Sequence, residues 1–179
     1  RCVALGEIGF NNITPNEEYA LVRQLEIAQK ADLPVVVHLP HVNKLRGARR
    51  IIAIVRESGI APERIELDHN TEETMAECHA TGCYCGMTVY PISKLTPQRV
   101  SDIIRRFGPE RMIVDGSADW GVSDPLSLVK VVKTMETEGH PPETIRKLVF
   151  DNAQAFYSQT PKWQPNFDLK PLDPREFQR

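Results

Sequence analysis

Leu33-Pro34-Val35-Val36-Val37-His38-Leu39 is the longest uncharged apolar run in the sequence. Three consecutive β-branched residues at its centre predict a short buried strand over Pro34–Leu39. His38 is carried to the carboxyl end of that strand. The run falls far short of the roughly 20 apolar residues that a bilayer span needs. Working outward, the pattern predicts further strands over Val3–Gly6, Ile65–Asp68, Tyr84–Val89 and Met112–Asp115. Amphipathic stretches between and after them predict helices over Glu17–Ala31, Lys44–Ser58, Glu72–Ala80, Thr96–Phe107 and Pro125–Glu138. Thr14, Pro15 and Glu17 have the form of a capping box with proline in the first turn. Asn70 with Glu73, and Thr96 with Pro97, repeat that signal. Gly59, Gly82 and Gly108 stand where helices should end in left-handed caps. Short connections between alternating strands and helices predict an α/β fold with a parallel sheet, either a barrel or a doubly wound sheet.

The chain has 179 residues, 41% hydrophobic and 26% charged, which suits one folded domain and excludes disorder as its main state. Lys plus Arg number 22 against 24 Asp plus Glu, for a net charge of −2. That balance gives no basic footprint for a large nucleic-acid surface. Four cysteines do not make a disulfide scaffold in a domain of this size, which predicts a reducing, cytoplasmic home. The chain opens on Arg1 and is already strand-like at Val3, as a piece of a longer protein would be. After Tyr157 the prolines 161, 165, 171 and 174 predict a tail, residues 159–179, beyond a domain over 1–158.

The candidate chemistry is positional. Glu7, His38, His69 and Asp115 stand at the carboxyl ends of four of the predicted strands, with Asp119 four residues past Asp115. Carboxyl ends of parallel strands converge on one face, where such folds keep their active sites. Two imidazoles and two carboxylates on one rim make a donor set for a divalent metal such as zinc, manganese or magnesium. His41 is placed to reach the same rim. Cys78, His79, Cys83 and Cys85 lack zinc-ribbon spacing, and the thiols read as small buried hydrophobes. His140 reads as a loop residue.

Gly6-Glu7-Ile8-Gly9, the helix carrying Gln24-Leu25-Glu26-Ile27-Ala28, and Leu33–His38 together resemble the TatD-type metal-dependent hydrolases of the amidohydrolase superfamily. The order continues with His69, with Gly86-Met87-Thr88 at the end of a strand, and with Phe150-Asp151-Asn152-Ala153-Gln154-Ala155-Phe156 as a closing helix. The resemblance covers about residues 3–158. It implies a TIM (β/α)8 barrel of which this chain supplies strands four to eight. It also implies that one or two divalent ions are held by Glu7, His38, His69 and a strand-eight aspartate, which accepts the proton of the attacking water. Asp119 is the preferred aspartate and Asp115 the alternative. The His-x-His pair of the family's first strand is absent, since no two histidines here are separated by one residue.

The function expected of the full-length parent is therefore metal-dependent hydrolysis of an ester, amide or phosphoester, deoxyribonuclease chemistry included. The substrate is a small molecule or a nucleic acid. The chain alone is expected to be inactive, with an open edge for the missing N-terminal half or another chain to cover. One rival is a non-catalytic barrel scaffold. Another is a sugar-isomerase-like metal enzyme, which a lysine beside the metal would favour; none of the residues read onto the rim is lysine.

Overall fold

The structure, a computed structural model, describes residues 2–117 and 121–165. Its strands are β1 (Leu5–Gly9), β2 (Val35–His38), β3 (Ile65–Asp68), β4 (Tyr84–Val89) and β5 (Met112–Gly116). Its main helices are α1 (Pro15–Lys30), α2 (Lys44–Ser58), α3 (Met75–His79), α4 (Pro97–Phe107) and α5 (Ser127–Thr137). Two short helices, α6 (Pro142–Arg146) and α7 (Asn152–Tyr157), follow, joined by a π-helical turn over Lys147–Asp151.

The five strands are parallel and lie in the order β1-β2-β3-β4-β5. A doubly wound sheet reverses its strand order at a switch point, whereas a barrel adds each strand beside the last. No reversal occurs here, so the order is that of a barrel wall. β1 and β5 are the outer strands of the sheet.

Side chains alternate across the sheet with period two. Val35, Val37, Ile65, Leu67, Cys85, Met87, Met112 and Val114 join the helices in the main apolar core. The intervening positions, among them Val36, His38, Glu66, Asp68, Thr88, Ile113 and Asp115, fall on the other face. Most of that face's chemistry therefore rides on strands whose alternate residues anchor them in the core.

The Thr14–Glu17 capping box forms, and Thr96 accepts a hydrogen bond from the Arg99 amide as the cap of α4. Three expectations are corrected. The first strand runs over Leu5–Gly9 rather than Val3–Gly6, so Glu7 lies inside it. The helix expected over Glu72–Ala80 contracts to Met75–His79, and Asn70 does not cap it. The Asn70 amide instead donates to the Leu67 carbonyl at 2.6 Å and its oxygen accepts from Thr74 Oγ1 at 2.9 Å, tying down the loop after β3. Third, α3 ends on Ala80 in the right-handed region and not on Gly82. The inner face of the sheet is covered at its amino end. Phe156 of α7 is fully buried and packs with Tyr84, Ile113 and Val36 at the amino end of the sheet. Asn152 fixes α7 there by donating to the carbonyls of Pro109 and Met112 at 2.7 and 2.6 Å. The α7 plug leaves the carboxyl end open.

Candidate metal centre

The pairing of β1 with β2 slips between Leu5 and Ile8: three steps along β1 match two along β2. Such a bulge re-aims side chains beside active sites. Here Ile8 stays in the core while Glu7 faces the histidines. Glu7 Oε1 lies 2.9 Å from His69 Nε2 and 3.6 Å from His38 Nδ1. The three residues offer ligand atoms that all lie within 4.8 Å of one another. His38 is aligned with Asp68 in the β2–β3 register, and His69 follows directly. His69 has φ +64°, a left-handed conformation that non-glycine residues adopt at a cost. The buried cluster around it holds it there. Its amide donates to the Asp68 carboxylate, and Lys44 Nζ donates to its carbonyl at 2.9 Å.

Behind the imidazole, His69 Nδ1 lies 2.6 Å from Thr88 Oγ1, which reaches Asp115 Oδ2 at 3.3 Å. Gly86 makes the layer possible, because a Cβ there would stand 2.3 Å from Asp68 Oδ1 and 2.8 Å from Glu66 Oε1. The carboxyls divide by environment. Hydrogen bonding to His38 and His69 holds Glu7 far below the usual carboxylate range. Burial, reinforced by Asp68, pushes Asp115 up to about 8. Burial also raises Asp68 and, together with the Asp68 and Asp115 charges, raises Glu66 strongly. An ionised carboxylate between two imidazoles, backed by carboxyls that resist ionisation, suits a cation brought from outside. The one-carboxylate, two-imidazole set fits zinc or manganese better than magnesium, which prefers oxygen.

The rim opens into a cleft of ≈ 880 Å³. His41 reaches it as expected, its ring centroid 5.7 Å from His38 and 5.8 Å from His69. Desolvation, then the charge of Lys44, lowers the His41 pKa. Two lysines missed by the strand-end reading also reach this rim. Lys44 opens α2, and Lys94, on the loop after β4, puts Nζ 3.2 Å from His69 Nδ1. The rim thus holds lysines beyond the residues that the strand-end reading placed there. The sequence hints at Lys44 alone, six residues past His38. Asp119, with Trp120, lies outside the described residues, whereas Asp115 lines the cleft. Cys78, Cys83 and Cys85 are buried, and burial drives the Cys78 thiol up to about 12, as for inert core thiols. His140 Nε2 lies 2.8 Å from Ser101 Oγ, pinning the loop after α5 to α4.

Residues 1–158 match the family described as TatD related DNase. The chain belongs to that family. An uncharacterized metal-dependent hydrolase of Methanocaldococcus jannaschii is 31% identical over 157 residues, covering 87% of this chain and 61% of that protein. The crystal structure of a TatD-like protein from Archaeoglobus fulgidus superposes with a TM-score of 0.71 at 26% identity, over 88% of this chain and 61% of that one. The phosphotriesterase homology protein of Escherichia coli, solved with phosphate in its active site, gives 0.72 at 15% identity, over 88% and 60%, a likeness of fold. This TatD-family chain thus spans about 61% of the length of the relatives it matches. Its parallel sheet is of the kind found in their TIM-barrel-like folds. No helix among the described residues is long and apolar enough to cross a membrane.

Proposed function

We propose that this TatD-family chain carries the greater part of the metal centre of a hydrolase acting on an ester, amide or phosphoester. The observation that supports this most is the meeting of Glu7, His38 and His69 at one point. Glu7, His38 and His69 would hold a divalent ion, which would supply a bound water of lowered pKa, towards about 7, and polarise the scissile group. Glu7 and the two imidazoles hold and orient; Thr88 fixes the His69 ring. Asp119 takes the proton of the attacking water, with Asp115, already in the cleft, as the alternative. In this reading the five strands are strands four to eight of an eight-stranded barrel; of the tail expected over 159–179, Gln159 donates to the Glu63 carbonyl, Thr160 is buried and Trp163 stacks on Tyr157. The missing N-terminal half, or another chain, covers the open edge and completes the ligand set. Four free cysteines suit a reducing cytoplasm. Membership in a hydrolase family favours this over the isomerase, and the lysines then serve the substrate.

The test is to load the protein with zinc or manganese and measure metal content and hydrolysis of nitrophenyl esters, phosphoesters and DNA. Adding the N-terminal barrel half should raise both. Asp119→Asn should then abolish turnover while Asp115→Asn leaves part of it; the reverse order assigns the proton to Asp115. A fully metallated, completed protein with no turnover on any of these substrates rejects the hydrolase.

A further inference from the structure

Several cations of the outer surface are neutralised locally, among them Arg49, paired with Glu77 at 2.6 Å, and Arg99, paired with Glu72 at 2.6 Å. Lys44 and Lys94 are arranged differently. Among the described residues neither is in an ion pair with a carboxylate. Both ammonium groups instead converge on His69, Lys44 at its carbonyl (2.9 Å) and Lys94 at its ring (3.2 Å). Both line the same cleft as Glu7 and His38. Lys94 is brought in by its loop, whose backbone is tied to the sheet by Leu95 N donating to Thr88 O at 3.1 Å and Tyr90 N to Leu95 O at 3.2 Å. Burial is the main cost to the Lys44 charge, the pull of Asp68 offsets part of it and the charge of Lys94 adds to it, and each lysine keeps donors to spare. An incoming dianion removes the repulsion between the two ammonium groups and satisfies those donors.

We propose that Lys44 and Lys94 form an oxyanion subsite beside the Glu7–His38–His69 centre that takes the phosphate of a small phosphate monoester. The proposal rests on the hydrolase reading and narrows its substrate class. A phosphate monoester carries about −1.5 to −2 charges at pH 7, the match for two ammonium groups, and lysine binds phosphate as a point charge. The substrate is small because a nucleic-acid strand is held through many phosphate contacts along a basic track. Among the described residues the cleft offers Lys44 and Lys94 but no arginine, on a chain of net charge −2.

The experiment is calorimetric titration of the manganese-loaded protein with inorganic phosphate, wild type against Lys94→Gln and Lys44→Gln/Lys94→Gln, with metal content measured on each. Lys94 stands on a surface loop, so its single variant keeps the fold if Lys44→Gln does not. Phosphate affinity should fall about tenfold or more in Lys94→Gln and further in the double variant, at unchanged metal content. Lys94→Arg should restore most of it. Phosphate bound equally by wild type and Lys94→Gln overturns the subsite. So does a single-stranded oligonucleotide that binds more tightly than a nucleoside monophosphate with a salt slope of several counterions. The two readings fail separately: phosphate binding through the lysines without any turnover rejects only the hydrolase, and turnover of a neutral ester with lysine-independent phosphate binding rejects only the subsite.

Discussion

Thr88 Oγ1 sits 2.6 Å from His69 Nδ1, on the opposite side of the imidazole from Glu7. A hydroxyl both donates and accepts. To ligate through Nε2 the ring must carry its proton on Nδ1, donate it to Thr88, and leave the Thr88 hydrogen for Asp115. Thr88 is thus the acceptor that the metal-binding tautomer requires, and in that state the Lys94 ammonium, a donor 3.2 Å from the same nitrogen, makes no hydrogen bond to it. Thr88→Val keeps the shape and removes the acceptor. Metal affinity should fall about 10- to 100-fold, the usual effect of losing a ligand's hydrogen-bond partner. Thr88→Ser should retain it. Competition against a chromophoric chelator reads the difference.

The buried carboxyls predict how stability varies with pH in the metal-free protein. Asp115 has a folded pKa of about 8 against 3.8 unfolded. Between those values the folded state holds a proton that the unfolded state has released, so stability falls as pH rises. Asp68 and Glu66 are raised too and act in the same direction. From pH 6.5 to 8 Asp115 alone should cost on the order of 1–2 kcal/mol, more than the few tenths that His41 returns as the unfolded imidazole finishes titrating. Melting of the metal-free protein should therefore drop over that interval, and Asp115→Asn should flatten the slope. A melting temperature that climbs from pH 6.5 to 8 contradicts the environment described for Asp115.

The strand ends were legible because two signals coincide there. Val35-Val36-Val37 is apolar on both faces, and the polar residue after it marks where the sheet meets water. Ile65–Asp68 and Tyr84–Val89 were delimited to the residue for the same reason. Glu7 was found by its type but misplaced, because a bulge lengthens β1 and nothing in Ala4-Leu5-Gly6-Glu7 announces one. Asn70 was misread because its side chain bonds backward to Leu67 as readily as it would cap a helix forward. Lys44 and Lys94 were missed for a different reason. A lysine at a helix start or in a loop is ordinarily a solvated charge, and only the fold brings two of them to one histidine. The covering of the inner face by Phe156 depends on contacts far apart in sequence, which periodicity cannot show.

Asn152 is the fastening between the closing helix and the sheet. Its side chain is buried, and Nδ2 serves two carbonyls that flank the start of β5. Asn152→Ala takes a donor from both carbonyls, Pro109 keeping only the Met112 amide at 3.2 Å, at a cost of roughly 1–3 kcal/mol. For a domain of this size that is a fall of about 3–10 °C in melting temperature. Metal affinity should change little, since the centre lies at the other end of the strands. Thermal melts and metal titration on the same variant check both halves. A loss of metal binding without a loss of stability contradicts the separation of plug and site.

His38 separates a ligand from a core histidine. Its side chain is 21% exposed, its nearest carboxylate is Glu7 at 3.6 Å, and its ring stands edge-on to His69 with centroids 4.6 Å apart. A histidine kept for packing would be closed on all sides, and truncating it would open a cavity costing several kcal/mol. His38 instead ends a strand that Val35 and Val37 already anchor in the core. His38→Ala should therefore leave the melting temperature of the metal-free protein within a few degrees of wild type. What it removes is one of three strong donors. Metal content measured by atomic emission after dialysis should fall well below wild type, and whatever hydrolysis the completed protein shows should fall in proportion. Glu7→Gln should do the same, because it exchanges an anionic donor for a neutral one at the point where both imidazoles meet. Full metal occupancy in His38→Ala, together with a large loss of stability, would make His38 a packing residue and leave the centre to Glu7 and His69 alone.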